Sequence, residues 1–152
     1  MKAKNLLILA IAIMAVALSA NAQTPTALAK LFDGPYQNNK AATELIITGS
    51  PLKPYSLSSF HSLGVKDDPA LALPLEQAVK SDGAKALWKE TVSKGGRLES
   101  GVYELPSENL IRRRYILYLN GFIGGRNEAI VIYLEGRATP EKIKKLIKEM
   151  TE

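Results

Sequence analysis

The stretch IRRRYILYLNGFIGGRNEAIVIYLEG, residues 111–136, sets the architecture of this chain because it holds two apolar runs around a glycine-rich loop. Residues 110–119 and 129–135 are rich in Ile, Leu, Val and Tyr, which favours β-strands. The loop lacks the Gly-Lys-Ser/Thr and G-x-G-x-x-G patterns of phosphate-binding loops. It also leads into a strand, whereas a phosphate is held by the free N–H groups that begin a helix. The stretch therefore predicts a β-hairpin.

The arginines that begin this stretch have two interpretations. Side chains alternate along a strand, so Arg112 and Arg114 share one face. A symmetric hairpin places Arg112 near Glu135, where the two would form an ordinary cross-strand ion pair. In the other interpretation, Arg112 and Arg114 form a patch with Arg126 that binds an anionic ligand or partner. With Tyr103, these arginines are the candidate binding residues.

The segments outward from the hairpin predict further strands and helices. Residues 24–33 indicate a short helix, 45–48 a buried strand, 49–69 an irregular loop, 70–94 a helix in one or two pieces, and 97–105 a strand. Trp88 falls on the apolar stripe of the helix predicted over 70–94, which favours core packing over stacking on a carbohydrate. Thr139-Pro140-Glu141 is typical of a helix start, and apolar residues recur at helical spacing as far as Met150.

These elements predict an α+β fold with two layers. Strands 97–105, 110–119 and 129–135 follow one another and predict an antiparallel meander, which the earlier strand completes as a four-stranded sheet. The helices are expected to cover one face of that sheet. The other face would then present arginine and tyrosine side chains to a partner, a composition common at interaction surfaces.

The N-terminus has the pattern of a secretory signal peptide. Lys2 and Lys4 precede an unbroken apolar run over residues 6–18, and Ala20 and Ala22 then occupy the −3 and −1 positions before Gln23. A membrane-spanning helix needs about 20 apolar residues, so this run is too short to span. The prediction is cleavage after Ala22, which leaves a single domain over residues 23–152 in the periplasm or outside the cell.

Composition excludes several classes of function. The chain contains no cysteine, so thiol catalysis, cysteine-ligated metals and a lipidated cysteine anchor are excluded. The net charge of the 152 residues is +5, and the chain after the predicted cleavage has 18 basic and 15 acidic residues. This mild charge does not require a nucleic-acid partner. No membrane anchor, cofactor or metal is expected.

His61 is the single histidine and the centre of the alternative, enzymatic hypothesis. A small hydrolase using the 50–69 loop would need His61 beside a carboxylate and a nucleophile such as Ser58, Ser59 or Ser62. The interpretation favoured here is a loop histidine without catalytic function. Asp67-Asp68 lacks the spacing of a calcium loop and is expected to cap the helix that begins near Pro69.

Several segments together resemble small exported proteins of Gram-negative gut commensals that are classified as domains of unknown function. The resemblance is carried by residues 28–33 (LAKLFD), 115–118 (YILY), 128–136 (EAIVIYLEG) and the helix from Thr139 to Met150. Many such proteins carry a lipidated cysteine, which this chain lacks. The resemblance implies export, but no catalytic residue.

The function expected from the sequence is a non-enzymatic binding module of the periplasm or cell exterior. Its partner would be a protein or a small molecule. The arginines would favour an anionic partner. Besides the hydrolase, a second alternative is a structural component of the cell envelope, in which an edge strand pairs with another chain.

Overall fold

The computed structural model describes residues 26–32, 34–123 and 125–151. The predicted signal peptide and its cleavage residues, Ala20, Ala22 and Gln23, lie outside these ranges. Within them, no helix has the length and apolar character needed to cross a membrane.

Six antiparallel strands form one sheet in the order β1-β2-β6-β5-β4-β3. The strands are β1 (Ala42–Thr48), β2 (Leu57–Lys66), β3 (Trp88–Lys94), β4 (Arg97–Leu105), β5 (Arg113–Ile123) and β6 (Arg126–Gly136). The hairpin expected from residues 111–136 is confirmed, with β5 and β6 paired from Arg113 opposite Gly136 to Ile123 opposite Arg126. The α+β class and the antiparallel meander are also confirmed, but the expected count of four strands is wrong.

The two strands that were not predicted are β2 and β3, and both lie in segments whose sequence pattern favours a different structure. Residues 49–69 are not a loop: they form a short 3₁₀ helix (Ser50–Tyr55) and then β2, which lies between β1 and β6. An interior strand gains ladder hydrogen bonds on both sides, so β2 tolerates serines whose own strand propensity is low. The helix expected over 70–94 ends at Gly83, and Trp88 lies on edge strand β3. Trp88 and Val92 are four residues apart, a spacing that fits the period of a helix and of a strand equally well.

The helices lie on both faces of the sheet, so the expected two-layer arrangement is wrong. The helices are α1 (Ala27–Phe32), α2 (Pro69–Gly83) and α3 (Pro140–Thr151). Helices α1 and α2 bury Leu28 and Leu75 against a cluster that includes Tyr133. Helix α3 and the 3₁₀ helix pack on a second cluster that includes Leu134. Adjacent residues of a strand point to opposite faces, so these are the two faces of the sheet, here called the α2 face and the α3 face.

The sequence contained a sign of this second layer. Residues 129–134 are apolar without interruption, whereas a strand with one solvated face alternates apolar and polar residues. In the structure, Ala129, Val131 and Tyr133 join the α2 face, and Ile132 and Leu134 join the α3 face. Strand β6 is therefore buried on both sides.

The predicted helix caps are confirmed. The Asp68 carboxylate accepts a hydrogen bond from the Leu71 N–H at 3.0 Å, and the Thr139 hydroxyl accepts one from the Lys142 N–H at 3.3 Å. A cap that the sequence did not indicate comes from α2. The Asp82 carboxylate accepts hydrogen bonds from the N–H groups of Ala27 and Leu28 at 2.8 and 3.0 Å, so α2 holds the first turn of α1 in place.

Candidate functional site

The four candidate binding residues do not lie on one surface. Arg112 immediately precedes β5 and Arg114 is its second residue, whereas Arg126 begins β6 at the other end of the hairpin. Arg126 and Glu135 are nine positions apart on β6, roughly 30 Å at about 3.3 Å per residue. Tyr103 is only 3% exposed and belongs to the core of the α2 face.

The arginine pair is engaged in contacts within the chain. Arg112 Nε lies 3.2 Å from Glu135 Oε1, which confirms the expected proximity, although the residue directly opposite Glu135 on β5 is Arg114. Glu135 is buried and also accepts a hydrogen bond from the Tyr133 hydroxyl at 2.9 Å. The guanidinium of Arg114 donates to the Pro106 carbonyl. These contacts fasten the beginning of β5 to its neighbours, and the interpretation of Arg112 as one half of a cross-strand ion pair has direct geometric support.

His61 lies on β2 and not in a loop. Its Nε2 is 2.5 Å from Glu44 Oε1 of β1, and its ring stacks on Phe32 of α1 with 3.7 Å between the ring centroids. The neighbouring Ser62 points to the opposite face of the sheet, because side chains alternate along a strand. The hydroxyl of Ser58 donates to the Glu135 carbonyl at 3.0 Å. The histidine therefore has a carboxylate partner and an aromatic neighbour, a contact set that anchors α1 and β1 to the sheet.

An apolar groove of about 460 Å³ lies on the α3 face and is here called the α3 groove. Its floor consists of two rows of side chains that run across four strands. The register places Glu90, Val102, Leu117 and Ile132 in the first row and Val92, Ser100, Leu119 and Ile130 in the second. Ile147 and Met150 of α3 form its wall. The volume is within the range of small-molecule pockets, about 300–1,000 Å³.

The groove exists because α3 covers only part of its face. Ile143 and Leu146 of α3 are buried, whereas Ile147 and Met150, nearer its C-terminal end, are only partly buried. Along the floor, the apolar side chains of the first row are nearly enclosed, but Leu119 in the second row remains 41% exposed. A row of apolar side chains is thus left open beside the last turns of α3.

The rim of the groove carries one charge pair. Lys144 Nζ of α3 lies 2.8 Å from Glu90 Oε1 of β3 and 4.6 Å from the centroid of the Trp88 ring. Glu90 is the only charged residue that lines the groove in the part of the chain that the structure describes. Its charge is compensated by Lys144, so the lining is apolar with a neutral ion pair at one edge.

A second, polar cavity of about 300 Å³ lies at the beginning of α2. Asp67, Asp68, Asn120, Asn127 and Arg97 are among the residues that line it. Asp67 and Asn127 exchange two hydrogen bonds, of 2.9 and 3.2 Å, that attach the end of β2 to β6. Within the described ranges, no three His, Cys, Asp or Glu side chains are grouped as a metal ion would require.

Sequence reasoning missed the α3 groove, although it identified several of its residues as apolar strand positions. Leu117 and Ile130 belong to the two runs that predicted the hairpin. The groove also needs β3, where a helix was expected, and it needs α3 on the face that was expected to be bare. The available signal was that Val92, Leu119 and Ile130 are apolar positions in three different segments. Without the register of the strands, the sequence does not show that these residues are neighbours.

Comparison with curated proteins finds no match to this chain. A model of the family DUF6108, described as a family of unknown function, matches residues 15–147. The match covers most of the chain and includes every strand of the sheet. The chain therefore belongs to DUF6108, a family of unknown function.

Proposed function

We propose that this chain is an exported, non-enzymatic binding domain and that the α3 groove is its binding site. The observation that carries the proposal is the lining of the groove, whose residues are apolar except for Ser100, Thr91, Tyr118 and the paired Glu90. An ionised ligand group placed inside would find no compensating charge, and an unpaired buried charge is costly. The part of the ligand that enters is therefore a hydrocarbon.

Two further considerations support binding without catalysis. His61, the only histidine, lies on the α2 face and so on the opposite side of the sheet from the groove. Ser100 supplies a hydroxyl to the floor, and no basic side chain is among the residues that line the groove in the described part of the chain. The proposal of export is supported by the signal-peptide pattern that ends at Ala22 and by the resemblance to exported proteins.

A fluorescent apolar probe, N-phenyl-1-naphthylamine, tests this proposal. The full chain is expressed with its own N-terminus, and the product is collected from the periplasm and weighed by mass spectrometry. We expect a product of residues 23–152 that binds the probe saturably at one site. In Ser100→Phe the new ring fills the second row of the floor, and we expect at least about tenfold weaker binding, equivalent to about 1.4 kcal/mol.

The matched control is Ser93→Phe. Ser93 is exposed on β3 and pairs with Leu98, a residue of the α2 face, so its side chain points away from the groove. This variant should bind the probe like the wild type, and both variants should keep the wild-type circular dichroism spectrum. Equal binding by Ser100→Phe and the wild type would place the probe elsewhere and refute the groove as the site. Retention of residues 1–22 in the product would refute the proposed processing.

A further inference from the structure

We infer that the ligand of the α3 groove is a single-chain anionic amphiphile, with its acyl chain on the floor and its head outside beside Lys144. This inference rests on the proposed function and names the ligand class. Two observations carry it: the shape and composition of the floor, and the position of the Lys144–Glu90 ion pair at the rim.

The floor fits one flexible hydrocarbon chain. Each row crosses four strands, a span of about 14 Å at about 4.8 Å between strands, which is comparable with an extended chain of about twelve carbons. The side chains that face the ligand are mainly branched aliphatics, such as Leu117, Leu119, Ile130 and Ile132. A second acyl chain beside the first would not fit within the width of the two rows.

A peptide fits the groove less well than an acyl chain. Each buried peptide unit brings an N–H and a C=O that need partners. The lining supplies the Ser100 hydroxyl and little else that is polar, so most of those groups would remain unpaired. A second copy of the chain, paired along β3, is also disfavoured. Strand β3 carries Lys89 and Lys94 and a register shift at Val92/Ser93, features that oppose pairing between edge strands.

The charged residues at the rim of the groove indicate which charge the head group of the ligand carries. An ionised head is not compatible with the apolar floor, so it must remain at the mouth. The side chain of Lys144 is 45% exposed there and is held by Glu90 and Trp88. Helix α3 carries four lysines and two glutamates, so the helix beside the groove is net positive. An anionic head therefore complements this surface, and a cationic head does not.

Displacement of N-phenyl-1-naphthylamine by three amphiphiles with the same chain distinguishes the heads. Dodecanoate, dodecanol and dodecyltrimethylammonium are compared below their micelle concentrations. We expect dodecanoate to displace the probe at the lowest concentration. Lys144→Gln should weaken the binding of dodecanoate about two- to fivefold, the range expected for an exposed ion pair. It should leave the binding of dodecanol unchanged. Glu90→Gln should strengthen the binding of dodecanoate, because it removes the carboxylate that competes for Lys144. Lys145→Gln, also exposed on α3, is the control and should change neither.

Each contrary outcome overturns a defined part of the inference. If the probe binds but none of the three amphiphiles displaces it, the acyl chain is wrong while the proposed function stands. If the probe itself does not bind, both fail. If all three amphiphiles displace the probe equally well, the anionic head is refuted. It is also refuted if Lys144→Gln and Lys145→Gln lose the same affinity for dodecanoate. If the protein sediments with phosphatidylglycerol vesicles but does not bind dodecanoate, a lipid surface is the occupant and the single-chain ligand is refuted.

Discussion

Tyr115 and Tyr118 show how two tyrosines three residues apart can differ in their contribution to stability. Tyr115 is buried on the α3 face, and its hydroxyl donates to the Ala138 carbonyl at 2.6 Å. Tyr118 is buried on the α2 face, and its hydroxyl has no hydrogen-bond partner among the described residues. Burial raises the pKa of Tyr118 to about 12, so at neutral pH the core holds an unpaired O–H group.

Removing the two hydroxyls should have opposite effects on the free energy of unfolding. Tyr118→Phe deletes an unsatisfied group, and we expect a change between zero and a gain of about 1 kcal/mol. Tyr115→Phe leaves the buried Ala138 carbonyl without its donor and should cost about 1–3 kcal/mol. Urea unfolding followed by circular dichroism measures both. A loss of more than about 1 kcal/mol in Tyr118→Phe would mean that its hydroxyl has a partner, such as an ordered water.

At the scale of elements, the end of α2 is determined by its contact with the sheet. The ring of Tyr103 lies between Gly83, the last residue of α2, and Gly101 on β4. A Cβ atom built on Gly83 would be 2.6 Å from Tyr103 Cε2, and one on Gly101 would be 2.8 Å from Cε1. The sequence around Gly83 indicated a helix that breaks or bends, but it did not indicate that the glycine admits an aromatic ring.

Gly83→Ala should therefore destabilise the protein, although alanine favours helices. In an exposed helix interior the change from glycine would gain about 1 kcal/mol. Here the added methyl group overlaps a buried ring, and overpacking typically costs about 1–3 kcal/mol, so we expect a net loss. Thermal unfolding of Gly83→Ala and of Gly34→Ala, whose added Cβ meets no atom within 4 Å, makes the comparison. A rise in the midpoint for Gly83→Ala would show that Tyr103 moves aside at little cost.

The same elements show how far sequence patterns extend. The caps of α2 and α3 and the β5–β6 hairpin were predictable because the signals and the structures they specify lie within a few residues. Strand β3 was not, since the spacing of Trp88 and Val92 satisfies both periods and only the pairing with β4 resolves it. Strand β2 was not, because its stability derives from two neighbours that are distant in sequence.

At the scale of the whole molecule, one buried carboxylate joins a helix to the sheet. Glu76 of α2 is 2% exposed and contacts Arg97 Nε and Lys80 Nζ, each at 2.9 Å, and it accepts a hydrogen bond from the Leu98 N–H. Burial alone would raise the pKa of Glu76, but the hydrogen bonds from Lys80, Arg97 and Leu98 outweigh burial, so the pKa lies below its usual value of 4.5. The ionised carboxylate thus stabilises the folded state.

The sign of this shift predicts how stability depends on pH. A pKa that is lower in the folded than in the unfolded state contributes stability above about pH 4.5, which is lost as the pH falls through the folded pKa. We expect Glu76→Gln to cost about 1–3 kcal/mol at neutral pH, and its difference from the wild type to shrink as the pH falls from neutral to values below about 4.5. Urea unfolding across this range measures the difference. The control is Glu99→Gln, an exposed position on β4, which should follow the wild type. A difference that stays constant with pH would exclude ionisation of Glu76 as the cause.

Local sequence patterns were enough to predict the α+β class, the β5–β6 hairpin, the α3 helix, the caps at Asp68 and Thr139, and the nearness of Arg112 to Glu135. Each of these follows from side-chain period, backbone preference or short-range register, which act over neighbouring residues. Such patterns did not predict the six-stranded order, the helices on both faces, the burial of Tyr103 or the α3 groove. These depend on which strands become neighbours and on how much of a face one helix covers. Both are set by the packing of apolar surfaces from distant parts of the chain.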